Sequence, residues 1–204
     1  MKKMLVIVIT ACVILAILAV VLFTRNTPTT KTDVPSSLDV TDSEPSITGI
    51  DNSFRYEVTN GEATIIGVDR SVGGKIEIPK KVDGYPVKTI GNDAFSKCAM
   101  LESVKCGQYS QLVSIGAQAF SFCDELSSVI LGKNVKIIEK EAFYGCASLE
   151  SIFIPISVTT IGDRAFDYSG KITLYCECQQ SARPSGWSKQ LGLGVSYVWG
   201  YKPE

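Results

Sequence analysis

The residues in this sequence with the widest chemical range are its seven cysteines, and histidine is missing altogether. Without histidine, neither a Ser-His-Asp nor a Cys-His catalytic group can form within the chain, and no zinc site can use imidazole. Cys176 and Cys178 are separated by one residue, whereas zinc ribbons and thiol redox motifs place two residues between their cysteines. The sequence therefore predicts no catalytic residue, no metal site and no cofactor.

Paired carboxylates are the other chemistry open to a chain without histidine, since glycoside hydrolysis needs only two carboxyl groups. The chain has 21 Asp and Glu residues. Each of them either lies in a predicted turn or varies between the sequence repeats described next. A carboxylate-based glycan hydrolase is therefore the third of three functions considered, and we expect the chain not to be an enzyme.

A sequence unit of about 23 residues recurs four times and predicts the fold. Each copy has an isoleucine, then an Ala-Phe pair, then Cys or Ser, then Leu or Ile at matching positions. The Ala-Phe pairs are Ala94-Phe95, Ala119-Phe120, Ala142-Phe143 and Ala165-Phe166. A single unit cannot enclose its own apolar side chains, whereas stacked units cover one another. We call each stacked unit a coil.

Two kinds of element are predicted within each unit. Segments such as 128–131 and 151–154 alternate between side chains that face inward and side chains that face outward, which is typical of a strand. Asp93 and Asp163 stand just before an Ala-Phe pair, where they would suit the start of a short helix or 3₁₀ turn. Shorter strands are predicted upstream of the repeats at 54–58, 63–66 and 75–78.

The recurring cysteines follow the same period. Cys98, Cys123 and Cys146 share one repeat position, which Ser169 takes in the last copy, and Cys106 aligns with apolar strand residues. We expect buried thiols that act as small apolar side chains. A disulfide between neighbouring coils is the alternative, which an exported location would permit, and six exported cysteines allow fifteen full pairings.

These repeats resemble the BspA-like leucine-rich repeats of bacterial surface proteins. The copy that shows this best runs from Leu149 through Ile154-Pro155 and Ile161-Gly162 to Phe166. The resemblance implies an α/β repeat fold, a short right-handed leucine-rich-repeat solenoid with one strand ladder face, short helices or 3₁₀ turns, and β caps at both ends. Some members of the family are described as adhesins that bind host matrix proteins.

The chain divides into three predicted parts. Residues 1–26 contain Lys2 and Lys3 and then an uncharged stretch long enough to span a bilayer, which predicts a signal-anchor helix. Cleavage of a signal peptide, with secretion, is the alternative. Residues 27–49 are rich in Thr, Ser and Pro and predict a disordered stalk. The leucine-rich-repeat domain spans 50–202 and comprises an N-terminal cap with the first strand (50–86), the repeats (87–172) and a C-terminal cap (173–202).

Charge excludes the usual nucleic-acid binder. The formal net charge is −1, and the residues after the anchor carry 17 basic and 21 acidic side chains. We therefore expect no basic patch for DNA or for anionic lipid, and no nucleic-acid partner. We expect contact with the membrane through the predicted N-terminal helix.

The outward side chains of the strand ladder are the predicted ligand site. One row reads Glu77, Lys105, Ile130, Phe153 and Cys176, and the other reads Ser103, Ser128, Ser151 and Leu174. Ile130 beside Phe153 would form an exposed apolar pair, which is typical of an interaction surface, unless a neighbouring loop covers it. We expect a non-catalytic cell-surface binding or adhesion module for a protein or glycan. A structural scaffold subunit of a membrane-associated envelope complex is the alternative.

Overall fold

The computed structural model describes residues 47–51, 54–107 and 109–203. The predicted signal-anchor at 1–26 and residues 27–46 of the predicted stalk lie outside these ranges. Strand β1 begins at Ile47, three residues before the predicted start of the repeat domain. Among the described residues, no helix has the length and hydropathy needed to cross a membrane.

Fifteen strands and one short 3₁₀ helix, Gln180–Ala182, make up the regular structure of the described ranges. The strands are β1 Ile47–Asp51, β2 Phe54–Thr59, β3 Glu62–Val68, β4 Gly74–Ile78, β5 Lys81–Val82, β6 Tyr85–Ile90, β7 Leu101–Cys106, β8 Ser114–Ile115, β9 Ser128–Ile130, β10 Ile137–Ile138, β11 Ser151–Ile154, β12 Thr160–Ile161, β13 Ile172–Cys176, β14 Gly186–Trp187 and β15 Val195–Trp199. The upstream strands predicted at 54–58, 63–66 and 75–78 are confirmed as β2, β3 and β4.

Two parallel ladders run along the solenoid, where one was expected. The first ladder consists of β4, β7 and β9 in one sheet and β11, β13 and β15 in another. The second ladder runs through β3, β6, β8, β10, β12 and β14 in a single sheet. Most strands of the second ladder are only two residues long, so they show no alternation that could reveal them in the sequence.

The N-terminal end of the second ladder continues into antiparallel strands. Strand β1 pairs with β2 and β2 pairs with β3, and β3 then lies parallel to β6. The hairpin β5–β6 is also antiparallel. The turn between β2 and β3 is Asn60-Gly61, and both of its residues have positive φ, as a two-residue hairpin turn requires.

The third side of each coil, around the Ala-Phe pair, is a series of turns. The backbone N–H of Ser96 donates to the carbonyl of Asp93 at 3.0 Å, whereas the neighbouring N–H of Phe95 donates to Ala119 in the next coil at 2.7 Å. An α-helix needs every amide to bond four residues back, and here every second amide bonds the next coil instead. The short helix predicted to start at Asp93 and Asp163 is therefore wrong, and the 3₁₀ turn that was its alternative is not confirmed. The described fold is a β-solenoid rather than an α/β repeat.

This alternation places two residues per coil in the left-handed backbone region. The first position has φ of 54–57° and the second has φ of 57–72°. The first set is Asp93, Gln118, Glu141 and Arg164, and the second is Lys97, Phe122, Gly145 and Tyr168. Most of them are not glycine, so each costs on the order of 1 kcal/mol of backbone strain. The hydrogen bonds between coils hold these conformations in place.

A column of stacked phenylalanine rings forms the centre of the core. Phe95, Phe120, Phe143 and Phe166 have no solvent exposure. Successive ring centroids are 4.9, 5.3 and 5.6 Å apart, with planes within 12° of parallel. Phe54 meets Phe95 edge-on at 6.3 Å. The predicted stacking of consecutive repeats around one apolar interior is confirmed.

Candidate functional site

The predicted strand-face site is brought together over three coils. Glu77, Lys105 and Ile130 align across β4, β7 and β9, and Ser103 aligns with Ser128 beside them. These residues line a shallow groove of about 280 Å³ together with Lys75. Ile130 is 52% exposed within it. We call this surface the outer strand face.

Ser151 and Phe153 continue the two rows on β11, in the second sheet of the ladder. The ring of Phe153 lies 6.1 Å from the ring of Tyr201, which also contacts Tyr175 at 4.8 Å. Phe153 is consequently half-buried under the segment that follows β15, whereas Ile130 is open to solvent. The structure therefore places the two apolar residues of the predicted pair in different environments.

The last members of both predicted rows are wrong by one residue. Phe153 pairs with Tyr175 and Ser151 pairs with Thr173. Cys176 and Leu174, which were expected to face outward, have no solvent exposure. The register shifts because Tyr175 follows Phe153 by 22 residues, whereas Phe153 follows Ile130 by 23 residues. A one-residue shift moves every side chain of a strand to the opposite face.

A second exposed surface lies on the turn side of the coils and was not predicted. Its apolar members are Phe122, Tyr144, Tyr168 and Leu193, which we call the aromatic strip. The rings of Phe122 and Tyr144 are 5.3 Å apart, and those of Tyr144 and Tyr168 are 5.0 Å apart. Phe122, Tyr168 and Leu193 are 47%, 68% and 82% exposed. Alignment of the repeats does not show the strip, because Tyr144 occupies a different repeat position from Phe122 and Tyr168.

Arg164 anchors the strip to the coils beneath it. Its Nη1 lies 3.1 Å from Glu141 Oε1, its Nε donates to Asp167 Oδ2 at 3.2 Å, and its guanidinium lies 5.1 Å from the centre of the Tyr144 ring. The amide of Gln118 also donates to Glu141, at 2.6 Å. Glu141 and Asp167 are both buried. Arg164 therefore connects Tyr144, the central ring of the strip, to these two carboxylates.

Asp167 ends the series of turn hydrogen bonds. In earlier coils, the N–H of Phe122 and of Gly145 donates to a carbonyl one coil further along. Tyr168 holds the same position in the last repeat, and its N–H donates to Asp167 Oδ1, as does that of Leu193. The hydrogen bond from Leu193, followed by those from Arg164 and Tyr168, lowers the pKa of Asp167 below its usual range.

The cysteines are placed for structure and not for reactivity. All six thiols of the described residues are free and buried, which confirms the prediction for Cys98, Cys106, Cys123 and Cys146. Burial raises the pKa of Cys123, and it raises those of Cys146 and Cys176 to about 12, so these thiols stay protonated. Within the described ranges, no three Cys, Asp or Glu side chains are grouped so that they could hold a metal ion.

Comparison with solved structures gives the same architecture. The chain is similar to a leucine-rich repeat protein of T. pallidum, with 27% identity, a TM-score of 0.58 and coverage of 70% of this chain and 63% of that one. It is also similar to a leucine-rich repeat protein from Bacteroides capillosus, with 28% identity, a TM-score of 0.53 and coverage of 74% and 98%. The pneumococcal vaccine antigen PcpA shares the fold at 20% identity and a TM-score of 0.55, over 71% of this chain and 33% of the antigen.

A search of curated proteins gives no match. The family model for the BspA type leucine-rich repeat region matches residues 74–180 with six copies, which is more than half of the chain. The matched range begins at β4 and extends through β13, so it covers most of both ladders and the whole phenylalanine column. The chain belongs to the BspA-type leucine-rich repeat family.

Proposed function

We propose that this chain is a non-catalytic module that binds another protein, with the aromatic strip as its principal contact surface. Membership of a leucine-rich repeat family favours protein–protein interaction. The observation that carries the choice of surface is the exposure of Phe122 and Tyr168 on either side of the Tyr144 ring. Leu193, also exposed, follows in the segment that is hydrogen-bonded to Asp167. Aromatic side chains and arginine are the residues that contribute most at protein interfaces.

The strip is also rigid, which favours binding. Its rings contact one another, and Arg164 bridges Tyr144 to the buried carboxylates of Glu141 and Asp167. A surface that is already ordered loses little side-chain entropy when a partner docks. A groove of about 370 Å³ between Arg164, Lys189 and Leu193 could receive a partner side chain beside the strip.

The outer strand face is the second candidate surface for the same function. Ile130 is its exposed apolar centre, with Glu77 and Lys105 beside it on neighbouring strands. A solenoid commonly binds its partner on a strand face. The two surfaces predict opposite results for the same pair of variants, so one experiment separates them.

Affinity capture with the full-length chain tests the proposal. We expect Tyr168→Asp with Leu193→Asp to reduce capture of the partner at least about tenfold, because two charges then enter the apolar contact. Asp is tolerated at the positive φ of Tyr168. Ile156→Asp is the matched control, since Ile156 is 67% exposed and lies outside both surfaces. Loss of capture with Ile130→Asp, and not with the strip variant, would assign binding to the outer strand face. Equal capture by all variants would overturn the assignment of binding to either surface.

We also propose that the chain is displayed at the cell surface as an adhesion module, held there by residues 1–26. It is supported by Lys2 and Lys3 followed by the uncharged stretch from Met4 to Thr24. Protease added to intact cells should then digest residues 47–203. Protection of these residues until the cells are opened would contradict it. Crosslinking that recovers only envelope proteins would favour the scaffold role over adhesion to an external ligand.

A further inference from the structure

Lysines collect on one side of the first three coils. The segments 79–88, 109–113 and 132–136 lie in the connections from the first ladder to the second in successive coils, so they are side by side. Together they carry one acidic residue, Asp83, which accepts a hydrogen bond from Tyr56. Their basic residues are Lys80, Lys81, Lys88, Lys133 and Lys136. This concentration of like charge is local, because the chain as a whole is slightly acidic.

Two of these lysines line a common groove. Val113 donates its N–H to the carbonyl of Lys88 at 2.8 Å, and Lys136 donates to Val113 at 2.8 Å, so the three residues stand one above another. Two coil spacings separate the lysine backbones by about 10 Å. With Gln111 and Asn134 they line a groove of about 290 Å³ that has no carboxylate in its wall.

No carboxylate of the described residues pairs with the lysines of this groove. In the described ranges, ion pairs are formed by Lys140 and Arg164 but by none of these five lysines. Asn134 is held in place, since its Nδ2 donates to the carbonyl of Ser110 at 2.8 Å. The groove therefore presents two ammonium groups and two carboxamides to solvent, with one amide already ordered.

We propose that this groove, here called the lysine groove, binds the sulfate or phosphate groups of an anionic glycan. Ammonium groups pair with such oxyanions, and the carboxamides of Gln111 and Asn134 both donate to and accept from sugar hydroxyls. The separation of Lys88 and Lys136 suits a polymer that carries anionic groups repeatedly. The groove wall has no aromatic side chain on which nucleobases would stack. The exposed ring of Tyr109, two residues before Gln111, is already contacted by Lys80 Nζ at 4.5 Å from its centroid. Both observations favour a glycan over a single-stranded nucleic acid.

Binding of the full-length chain to dextran sulfate, phosphorylated dextran and uncharged dextran tests this. We expect binding to at least one of the charged polymers and none to dextran, and the charged polymer that is preferred identifies the oxyanion. Lys88→Gln with Lys136→Gln should weaken binding about tenfold and reduce its dependence on salt, because two ionic contacts are lost. Lys171→Gln with Lys202→Gln is the control, since it removes the same charge from exposed positions elsewhere.

Failure to bind either charged dextran would overturn the proposal, and so would any of three further results. The first is unchanged binding by the groove variant with an unchanged circular dichroism spectrum. The second is an equal loss in both double variants, which would mean that only net charge matters. The third is tighter, groove-dependent binding to phosphatidylglycerol vesicles or to single-stranded DNA than to either charged dextran, which would assign the groove to a membrane or a nucleic acid.

Discussion

At the scale of single residues, one interior column shows a thiol and a hydroxyl in the same role. The thiol of Cys146 donates to the carbonyl of Phe120 at 3.1 Å and accepts the N–H of Cys123. The hydroxyl of Ser169 donates to the carbonyl of Phe143 at 2.8 Å and accepts the N–H of Cys146 at 3.2 Å. Each side chain thus satisfies two backbone groups of the preceding coil, which is why Cys and Ser share this position.

Substitution of Cys146 tests this role. We expect Cys146→Ser to retain most of the stability, because the hydroxyl can make both hydrogen bonds. Cys146→Ala leaves a buried carbonyl and a buried N–H without their partner and should lower the free energy of unfolding by about 1–3 kcal/mol. Urea denaturation of both variants measures the difference. If alanine were tolerated as well as serine, the hydrogen bonds of this column would contribute nothing to stability.

The same thiols predict a loss of stability in alkali. Burial raises the pKa of Cys146 from 9.0 to about 12, so between these values the folded chain keeps a proton that the unfolded chain releases. The contribution of the protonated Cys146 thiol to the free energy of unfolding is complete below pH 9. It is lost as the pH rises towards 12, with a slope of up to about 1.4 kcal/mol per pH unit. Denaturation at pH 7, 9 and 10.5 should show a shallower loss for Cys146→Ser. Parallel losses in both proteins would contradict the assignment to this thiol.

The sequence predicted this column correctly because it repeats once per coil. Cys98, Cys123 and Cys146 were expected inside, and they are buried. It could not place Cys176, because one residue fewer in a coil reverses the face of the strand. Nor could it predict the aromatic strip, whose rings come from two different repeat positions. Periodicity identifies side chains that share a column, but not those that meet from adjacent columns.

At the scale of elements, the turn side replaces the expected helices. A helix satisfies its amides within itself, whereas these turns send every second amide to the next coil. Left-handed residues make this possible, and glycine fills the position only in the third copy, as Gly145. The sequence signal for a helix was a single Asp before an Ala-Phe pair, which suits a turn equally well. The sequence did not predict the second ladder for a related reason, because strands of two residues are too short to show a period.

Lys97 tests the backbone requirement of the turns. Its φ is 65°, and Gly145 occupies the equivalent place two coils later with φ 72°. We expect Lys97→Gly to preserve stability, because glycine adopts this conformation without strain. Lys97→Val should lower the free energy of unfolding by about 1–2 kcal/mol, since a β-branched side chain is strongly disfavoured there. Thermal denaturation measures the melting temperatures of the two variants. A melting temperature of Lys97→Val equal to or above that of Lys97→Gly would exclude backbone strain as the cause of the difference.

At the scale of the whole molecule, the phenylalanine column joins the coils into one unit. Every ring in it contacts the ring of the coil before or after. Overall charge, by contrast, was a poor guide. The acidic excess after residue 26 predicted no basic patch, yet the solenoid places five lysines on one side of three coils. A sum over the chain carries no information about how a fold distributes its charges.

Neighbouring phenylalanines on opposite sides of the backbone test the cooperativity of the column. Phe120→Leu removes the central stacking partner and should lower the unfolding free energy by about 1–2 kcal/mol, whereas Phe122→Leu on the surface should change it little. Trp187 and Trp199 are the two tryptophans of the chain and lie in the last strands. The unfolding transition of Phe120→Leu should shift equally whether it is followed by tryptophan fluorescence or by far-UV circular dichroism. Separate transitions would show that the coils unfold independently.

The turn hydrogen bonds give the turn side of the solenoid an electrical direction. Between coils, the turn amides of one coil donate to carbonyls of the coil that follows, as Phe95 does to Ala119 and Phe143 does to Ala165. Their peptide dipoles therefore add, with the positive pole towards the C-terminal coils, much as they do along a helix axis. Asp167 lies at that pole, where its carboxylate receives two N–H groups. It serves the turn side of this solenoid as an acidic N-cap serves a helix, so one carboxylate faces the positive end of that row of amides.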